Sequence, residues 1–207
     1  MASLPFEHLN LRRNPFGEFS AQERTQLAIV ELRSALDHLH SPTESLPPVL
    51  QFIGEKGFGK TTHLFAIATQ FPESIYVHIP EGEHVKIPTE GEPLLIDEAQ
   101  RLTYWQRFRV FRSKRMLVLG THRDFTPQLK RAGRSVLTLE AARHTTPERI
   151  EQILNDRIKS VRRNSKPIPV ITRATVEKLY ALYGNDLRSM QHELYEVIQN
   201  LGSVQDV

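Results

Sequence analysis

Apolar residues in the larger, N-terminal part of the chain fall into short, nearly continuous runs, a pattern typical of strands buried on both faces of a parallel sheet. Segments with helical spacing follow several of these runs, whereas residues 80–93 carry three prolines and two glycines and predict an irregular connection. The alternation of strands and helices indicates an α/β core with a parallel sheet. The predicted strands lie at residues 49–53, 74–79, 94–96, 116–120 and 135–139.

The pattern changes near residue 144, where strand signals end and apolar residues recur every three or four positions. Thr146 and Thr172 each begin a predicted helix, and a turn at residues 184–186 leads into a third. We therefore expect two domains, a core over residues 1–143 and an all-helical lid over residues 144–207.

The N-terminal segment, residues 1–45, is expected to belong to the core. Its Asn14-Pro15-Phe16 sequence cannot be helical, and it either closes over a nucleotide base or places Phe16 as a plug in the core. Ser20 and Glu23 then form a capping box that begins a helix. The apolar face of this predicted helix carries Leu27, Val30, Leu32, Leu36 and Leu39.

The run that follows the first predicted strand matches G-x-x-x-x-G-K-[ST] at every fixed position. Backbone N–H groups of such a loop wrap a triphosphate, which side chains at the fixed glycines would obstruct. The lysine would neutralise the β- and γ-phosphates, and the threonine after it would hold Mg²⁺. The residues expected to contact ATP are Gly54, Glu55, Lys56, Gly57, Phe58, Gly59, Lys60, Thr61 and Thr62, and Thr61 is also the expected Mg²⁺ ligand.

Polar residues end two of the later strands. Asp97 and Glu98 follow a buried run, at the carboxyl end where open α/β sheets bind their ligands. Asp97 would orient the Mg²⁺ shell, and Glu98 would polarise the water that attacks the γ-phosphate. Thr121 and His122 end the next strand. They either sense the γ-phosphate or are simply polar residues at the point where the chain leaves the sheet.

Residues 101–115 interleave aromatic and basic side chains. Their helical spacing favours a buried aromatic stripe with a solvated basic face, and the alternative is a basic surface that binds nucleic acid. The aromatic residues are Tyr104, Trp105, Phe108 and Phe111, and the basic residues are Arg107, Arg109, Arg112, Lys114 and Arg115.

Composition narrows the class of protein. The chain has 207 residues, a formal net charge of +3 and no cysteine, which excludes disulfides and thiolate chemistry and leaves DNA binding open. No run approaches the length of an apolar membrane span, and the N-terminus has no signal-peptide pattern. We expect a cytoplasmic protein.

The order of these motifs resembles that of the AAA+ ATPases over nearly the whole chain. The resemblance implies a P-loop NTPase core with a parallel sheet, followed by a helical lid. It implies that Thr121 or His122 is the first sensor of the γ-phosphate and that Arg188, in the run Gly184-Asn185-Asp186-Leu187-Arg188, is the second. It further implies that Arg134, or alternatively Arg131, is an arginine finger that enters the site of a neighbouring subunit.

Within that family, Asn14-Pro15-Phe16 and Asp97-Glu98-Ala99-Gln100 resemble the group that includes transposition helper ATPases of the TniB type and secretion ATPases of the ExeA type. Three features depart from the family pattern. Residues 80–93 leave no room for a helix, the usual sensor asparagine is replaced by Thr121 or His122, and no DNA-binding domain follows the lid within this sequence.

The leading hypothesis is an ATP-hydrolysing molecular switch that acts on a protein or a DNA–protein assembly and forms a homo-oligomer in the ATP state. The alternatives are a small P-loop kinase, a GTPase that reads its base through Asp124, and a non-catalytic adaptor that binds nucleotide and holds DNA through residues 107–115.

Overall fold

A computed structural model of the chain describes residues 5–20, 23, 32–41, 46–141 and 146–207. Contacts divide the chain into two compact units. The sheet unit comprises Val30–Arg143, and the helical unit comprises Met1–Ile29 together with His144–Val207. The expected change of structure near residue 144 coincides with this division, although residues 142–145 themselves lie outside the described residues.

The sheet unit contains five parallel strands in the order β2-β3-β4-β1-β5. Because every pairing is parallel, the carboxyl ends of the strands lie at one edge, where Ile53 pairs with Thr121 and His78 pairs with Asp97. The strands are β1, Leu46–Ile53; β2, Ile75–His78; β3, Leu94–Asp97; β4, Leu117–Thr121; and β5, Arg134–Glu140.

Helices cover both faces of this sheet. Leu94 and Ile96 of β3 pack in one apolar cluster, whereas Leu95, which points to the opposite face, packs in another. The continuous apolar runs of the sequence are thereby explained, and the predicted α/β core is confirmed. The helices of the sheet unit are α1, Arg33–Leu39; α2, Lys60–Ala68; α3, Tyr104–Phe111; and α4, Thr126–Arg131. The part of the predicted N-terminal helix that carries Leu27 and Val30 lies outside the described residues.

The β2–β3 connection, residues 79–93, contains no helix or strand, as its prolines and glycines predict. It is nevertheless fixed in place. Gln106 of α3 donates from Nε2 to the carbonyl of Val85 at 2.8 Å. Arg115 donates to the carbonyls of Glu90 and Pro88 at 2.7 and 3.0 Å. These hydrogen bonds therefore hold the connection in place beside α3.

Helix α3 corrects the expected aromatic stripe. Its buried side chains are Val110 and Phe111, whereas Tyr104, Trp105 and Phe108 are 67, 72 and 48% exposed. The helix has only eight residues, and the side that carries Val110 and Phe111 is the one that packs in the apolar cluster of the sheet unit. The interpretation of the whole aromatic set as buried is therefore wrong.

In the helical unit, side-chain caps begin all three long helices that the structure describes there. Thr146 and Thr172 accept hydrogen bonds from the backbone N–H three residues later, at 3.4 and 3.3 Å, and Asp186 accepts one from Arg188 N at 3.0 Å. The helices are α5, Pro147–Ser160; α6, Arg173–Tyr183; and α7, Leu187–Gln199. Their buried residues form one apolar core, as predicted for the region after residue 144.

The N-terminal segment packs in the helical unit. Leu9, Leu11 and Phe16 are buried in the same cluster as the apolar residues of α5, α6 and α7. Arg157 of α5 donates to the carbonyl of Pro15 at 3.1 Å. Residues 5–20 thus differ from the expected grouping of residues 1–45 with the core, because their apolar side chains complete the small helical core instead.

Candidate nucleotide-binding and hydrolysis site

The glycine-rich loop lies between β1 and α2, at the carboxyl edge of the sheet. Gly57 and Gly59 have φ angles of 92° and 81°, a left-handed conformation that side chains disfavour. The loop folds around Lys60, whose Nζ donates to the carbonyls of Gly54 and Glu55 at 2.8 and 2.9 Å. Thr62 lies in the first turn of α2, whose N–H groups face this loop as in other phosphate sites at helix N-termini.

Lys60 is buried, with 5% of its surface exposed. Burial lowers the pKa of this ammonium, and the nearby carboxylates of Glu98, Asp97 and Glu55 act in the opposite direction. Its Nζ also lies 3.4 Å from Nε2 of His122. A cation is therefore held directly beside the acidic end of β3.

Asp97 is buried and receives several hydrogen bonds. Thr61 donates from Oγ1 to Oδ2 at 2.6 Å, and the hydroxyl of Tyr76 donates to the same oxygen at 3.0 Å. The imidazole of His78 lies 3.7 Å from this oxygen. A side chain on Gly120 would lie 2.7 Å from Oδ1, so β4 leaves no room for one. The hydroxyl and carboxylate oxygens of Thr61 and Asp97 are hard ligands of the kind that Mg²⁺ prefers, so the residues present fit this ion.

Glu98 adopts an uncommon backbone conformation, with φ at 60° and ψ at 41°. Non-glycine residues rarely occupy this left-handed region, and such strain is found most often at functional sites. The turn places Oε1 3.5 Å from Nε2 of His122, and Oε2 accepts a hydrogen bond from Gln100 at 2.7 Å. Glu98 is thus joined to both neighbouring side chains.

The charge of Glu98 is stabilised by its surroundings. Burial acts to raise its pKa, but the hydrogen bond from Gln100 and the charges of Arg101, His122 and Lys60 together lower it below the ordinary value. Arg101 lies 3.3 Å from Oε2. The carboxylate is therefore ionised over a wide range of pH, as a residue that polarises water requires.

His122 and Thr121 have different surroundings. His122 lies between Lys60 and Glu98, and its Nδ1 is 3.7 Å from Glu55. Thr121 is buried, and its hydroxyl exchanges hydrogen bonds with the backbone of Arg123 at 3.0 Å. Of the two candidates for the first sensor, His122 is the one that contacts the charged residues of the site.

Arg134 is not available as an arginine finger, which corrects the expectation for this residue. It begins β5 at the amino end of the sheet, and only 4% of its surface is exposed. Its guanidinium donates to the carbonyls of Phe111, Pro47, Arg115 and Ser113. Burial lowers its pKa to about 10. Arg131, at the end of α4, is exposed, and its assignment as a finger stays a prediction.

The remaining predicted nucleotide contacts belong to the helical unit. Arg188 is exposed in the first turn of α7. Phe16 is only 7% exposed within its own unit's core, which favours the interpretation as a core plug. Asn14 donates from Nδ2 to the carbonyl of Tyr195 at 3.0 Å. The roles of Asn14, Pro15, Phe16 and Arg188 towards a nucleotide stay predictions.

Tyr76, Gln100 and Arg101 belong to the site although the motifs did not identify them. Tyr76 lies two residues before His78, and the pairing of His78 with Asp97 brings both to the acidic strand. That register is not visible in the sequence. The contact between Gln100 and Glu98 could have been suggested from the sequence, because the two residues are only two positions apart. A turn there brings the Gln100 side-chain amide to the Glu98 carboxylate.

Comparison with known proteins supports the fold. No protein-family model and no curated protein matches the chain. Solved structures of two mutants of RuvB from Thermotoga maritima match with TM-scores of 0.54, at 18 and 17% identity, and RuvB is an AAA+ P-loop ATPase. The chain therefore has an α/β P-loop NTPase fold with a helical C-terminal region, similar to that of RuvB.

The matches cover 91 and 93% of this chain but 66 and 69% of the two RuvB chains, so the chain spans about two thirds of their length. A likeness at this level of identity shows the fold alone, and the link to the TniB and ExeA types stays a prediction. In the part of the chain that the structure describes, no helix combines the length and the apolar character needed to cross a membrane.

Proposed function

We propose that the protein hydrolyses ATP and works as a nucleotide-dependent switch on a protein or a DNA–protein assembly. The observation that carries the proposal is the meeting of Lys60, Asp97, Glu98 and His122 at the carboxyl edge of the sheet, beside a glycine-rich loop. This edge is where open α/β sheets bind ligands. The AAA+ fold supports the same conclusion.

Each side chain has a role that follows from its contacts. Thr61 and Asp97 would hold Mg²⁺, which supplies charge neutralisation for the phosphates when bound. Lys60 now donates to two loop carbonyls, and phosphate oxygens would replace them as acceptors. Glu98 would orient and polarise water, with Gln100 holding one carboxylate oxygen so that the other remains directed towards His122.

His122 would report the state of the site. Its Nε2 lies near both Lys60 and Glu98, so a change at the phosphate that moves either group alters the contacts of the imidazole. Arg188 of the helical unit would supply a second contact to the γ-phosphate, and Arg131 would act on a neighbouring subunit in a homo-oligomer. Nucleotide state would then change the assembly of the protein or its binding to a partner.

Specific observations weigh on the alternatives. The GTPase alternative loses support because Asp124 accepts hydrogen bonds from Gln51 and from Thr126 N, at 3.0 and 2.7 Å, which give its carboxylate a structural role. A small kinase would need a group that binds an acceptor, whereas Glu98, the carboxylate at the site, is suited to activate water. The adaptor alternative lacks hydrolysis, so a measurement of ATP hydrolysis separates it from the proposal.

The test is steady-state ATP hydrolysis as a function of protein concentration, with Glu98→Gln as the blank and Glu83→Gln as a matched control at an exposed acid. Specific activity should rise with concentration if a subunit completes its neighbour's site. Glu98→Gln should lower the rate by about 10²–10⁴-fold while leaving ATP binding intact. A rate equal to the blank despite tight ATP binding would contradict hydrolysis and favour the adaptor.

A further inference from the structure

Helix α3 presents an aromatic and basic surface that the nucleotide site does not use. We call it the α3 face, and it consists of Tyr104, Trp105, Phe108, Arg109 and Arg112. At about 100° per residue, these five side chains project within an arc of about 140°. Val110 projects from the opposite side and Phe111 from just outside the Tyr104 edge of the arc, and both are buried in the sheet unit. All five residues of the α3 face are exposed.

Aromatic side chains dominate this surface. Tyr104 and Trp105 meet edge to face, with ring centroids 5.3 Å apart. The guanidinium of Arg112 lies 4.7 Å from the centre of the Phe108 ring. Large apolar side chains exposed together, with planar cations beside them, are typical of an interaction surface rather than of a solvated helix face.

The chain segment that carries the α3 face has charge of one sign, whereas the β2–β3 connection packed beside α3 contains four acidic residues, Glu81, Glu83, Glu90 and Glu92. Residues 102–123 contain six lysines and arginines and none of the 24 acidic residues of the chain. The net charge of the whole chain is only +3, so this segment is far more basic than the average. A partner that complements it must be anionic and must also offer flat apolar groups to the three exposed rings.

We infer that the α3 face binds single-stranded nucleic acid. Unpaired bases offer flat faces that stack on aromatic side chains, and their phosphates pair with arginine. A duplex hides those base faces inside its own stack, and an acidic peptide carries charge but few flat rings. The surface is separate from the nucleotide site, so the inference goes beyond the proposed function and can hold or fail without it.

Trp105 is the single tryptophan of the chain, which makes it a direct probe of this surface. The experiment titrates the full-length protein, without nucleotide, with fluorescently labelled oligothymidylate and oligouridylate. Anisotropy of the label measures binding, and quenching of the Trp105 emission by unlabelled oligomer reports stacking at the α3 face. Binding of either oligomer with quenching supports the inference, and their ratio distinguishes DNA from RNA.

Two double variants separate the contributions. Tyr104→Ala with Phe108→Ala keeps the Trp105 probe and should weaken binding by at least about fivefold for each stacked base that is lost. Arg109→Ala with Arg112→Ala should weaken binding and lower the slope of log K against log salt by about 1.4, if both arginines contact phosphates. Arg33→Ala with Lys178→Ala removes two exposed helical cations elsewhere and should change neither quantity.

Several results would overturn the inference. Binding that raises anisotropy without quenching Trp105 would place the nucleic acid elsewhere, and an equal or greater affinity for the same sequence as a duplex would exclude stacking of unpaired bases. If the variants with unchanged circular dichroism bind like the wild type, the surface has another occupant. Loss of self-association in sedimentation, with unchanged nucleic-acid binding, would assign the α3 face to a second copy of the chain.

Discussion

Among the residues of the sheet unit that the structure describes, two cations are buried, Lys60 at the carboxyl edge of the sheet and Arg134 at the amino edge. Both donate to backbone carbonyls, but their surroundings differ. Lys60 is near three carboxylates and an imidazole, and its carbonyl partners belong to the loop that it would release on binding phosphate. Arg134 joins Pro47 of β1 to residues 111–115, and its donors are used by the chain itself.

The difference shows how to distinguish a functional cation from a structural one when both are buried. The N–H donors of a structural cation all bind buried backbone carbonyls that have no other hydrogen-bond partner. Removal of such a cation therefore leaves those carbonyls unpaired. A functional cation lies among groups that can exchange partners with a ligand. Sequence position alone placed Arg134 in the second class, and its hydrogen bonds place it in the first.

The largest effect on the rate of ATP hydrolysis is expected from Lys60→Met, which removes the cation that we propose binds phosphate. ATP hydrolysis should fall by at least about 10²-fold, because one preorganised cation is lost from the site of the phosphates. The folded state should be affected much less, since the loop carbonyls of Gly54 and Glu55 can turn to solvent. Parallel measurements of hydrolysis and of urea unfolding check both parts, and unfolding of the variant under assay conditions would contradict the assignment.

Arg134→Met should have the reverse effect. The free energy of unfolding should fall by about 3 kcal/mol, because several buried carbonyls lose a charged donor. Arg131→Ala is the matched control, with an expected change within about 0.5 kcal/mol. If Arg131 is the finger, this control should lower the rate by about 10³-fold or more without destabilising the protein. Destabilisation by Arg131→Ala, or none by Arg134→Met, would reverse the two roles.

The smallest effect is a shift in the pH dependence. Gln100→Ala removes a hydrogen bond that lowers the pKa of Glu98, so this pKa should rise. If hydrolysis depends on ionised Glu98, as proposed, the acid limb of the rate profile should move to higher pH. Ser113→Ala removes a hydrogen-bond partner of Arg134 and should leave the profile unchanged. Identical profiles for wild type and Gln100→Ala would remove Gln100 from the positioning of Glu98.

The sequence predicted those parts of the molecule that depend on the local amino-acid sequence. The strand runs, the irregular residues 80–93 and the helices after residue 144 were all recognisable, because periodicity and proline act within a few residues. The structure brings Lys60, Thr61, Asp97, Glu98 and His122 together at the carboxyl edge of the sheet, where the sequence had placed them at strand ends and in the glycine-rich loop. Their roles towards a nucleotide stay predictions.

The sequence did not predict features that depend on contacts between distant segments. Arg134 looked like a free arginine until the carbonyls of Pro47, Phe111 and Arg115 were found around it. The N-terminal residues joined the helical core through Leu9, Leu11 and Phe16, which a linear boundary could not show. Tyr104, Trp105 and Phe108 have the spacing of a buried stripe, and only the packing of Val110 and Phe111 shows which face is covered.

The fixed β2–β3 connection has a practical consequence for engineering this chain. A stretch without helix or strand would normally be chosen for inserting an epitope or a dye, yet near Val85 or Pro88 an insert would break the hydrogen bonds from Gln106 and Arg115. Gly82 lies in the same connection, is exposed, and has no atom outside its chain neighbours within 4 Å of where a side chain would begin, but its φ of 76° disfavours any side chain there. A label that leaves α3 undisturbed therefore belongs in an insert beside Gly82 that keeps this glycine.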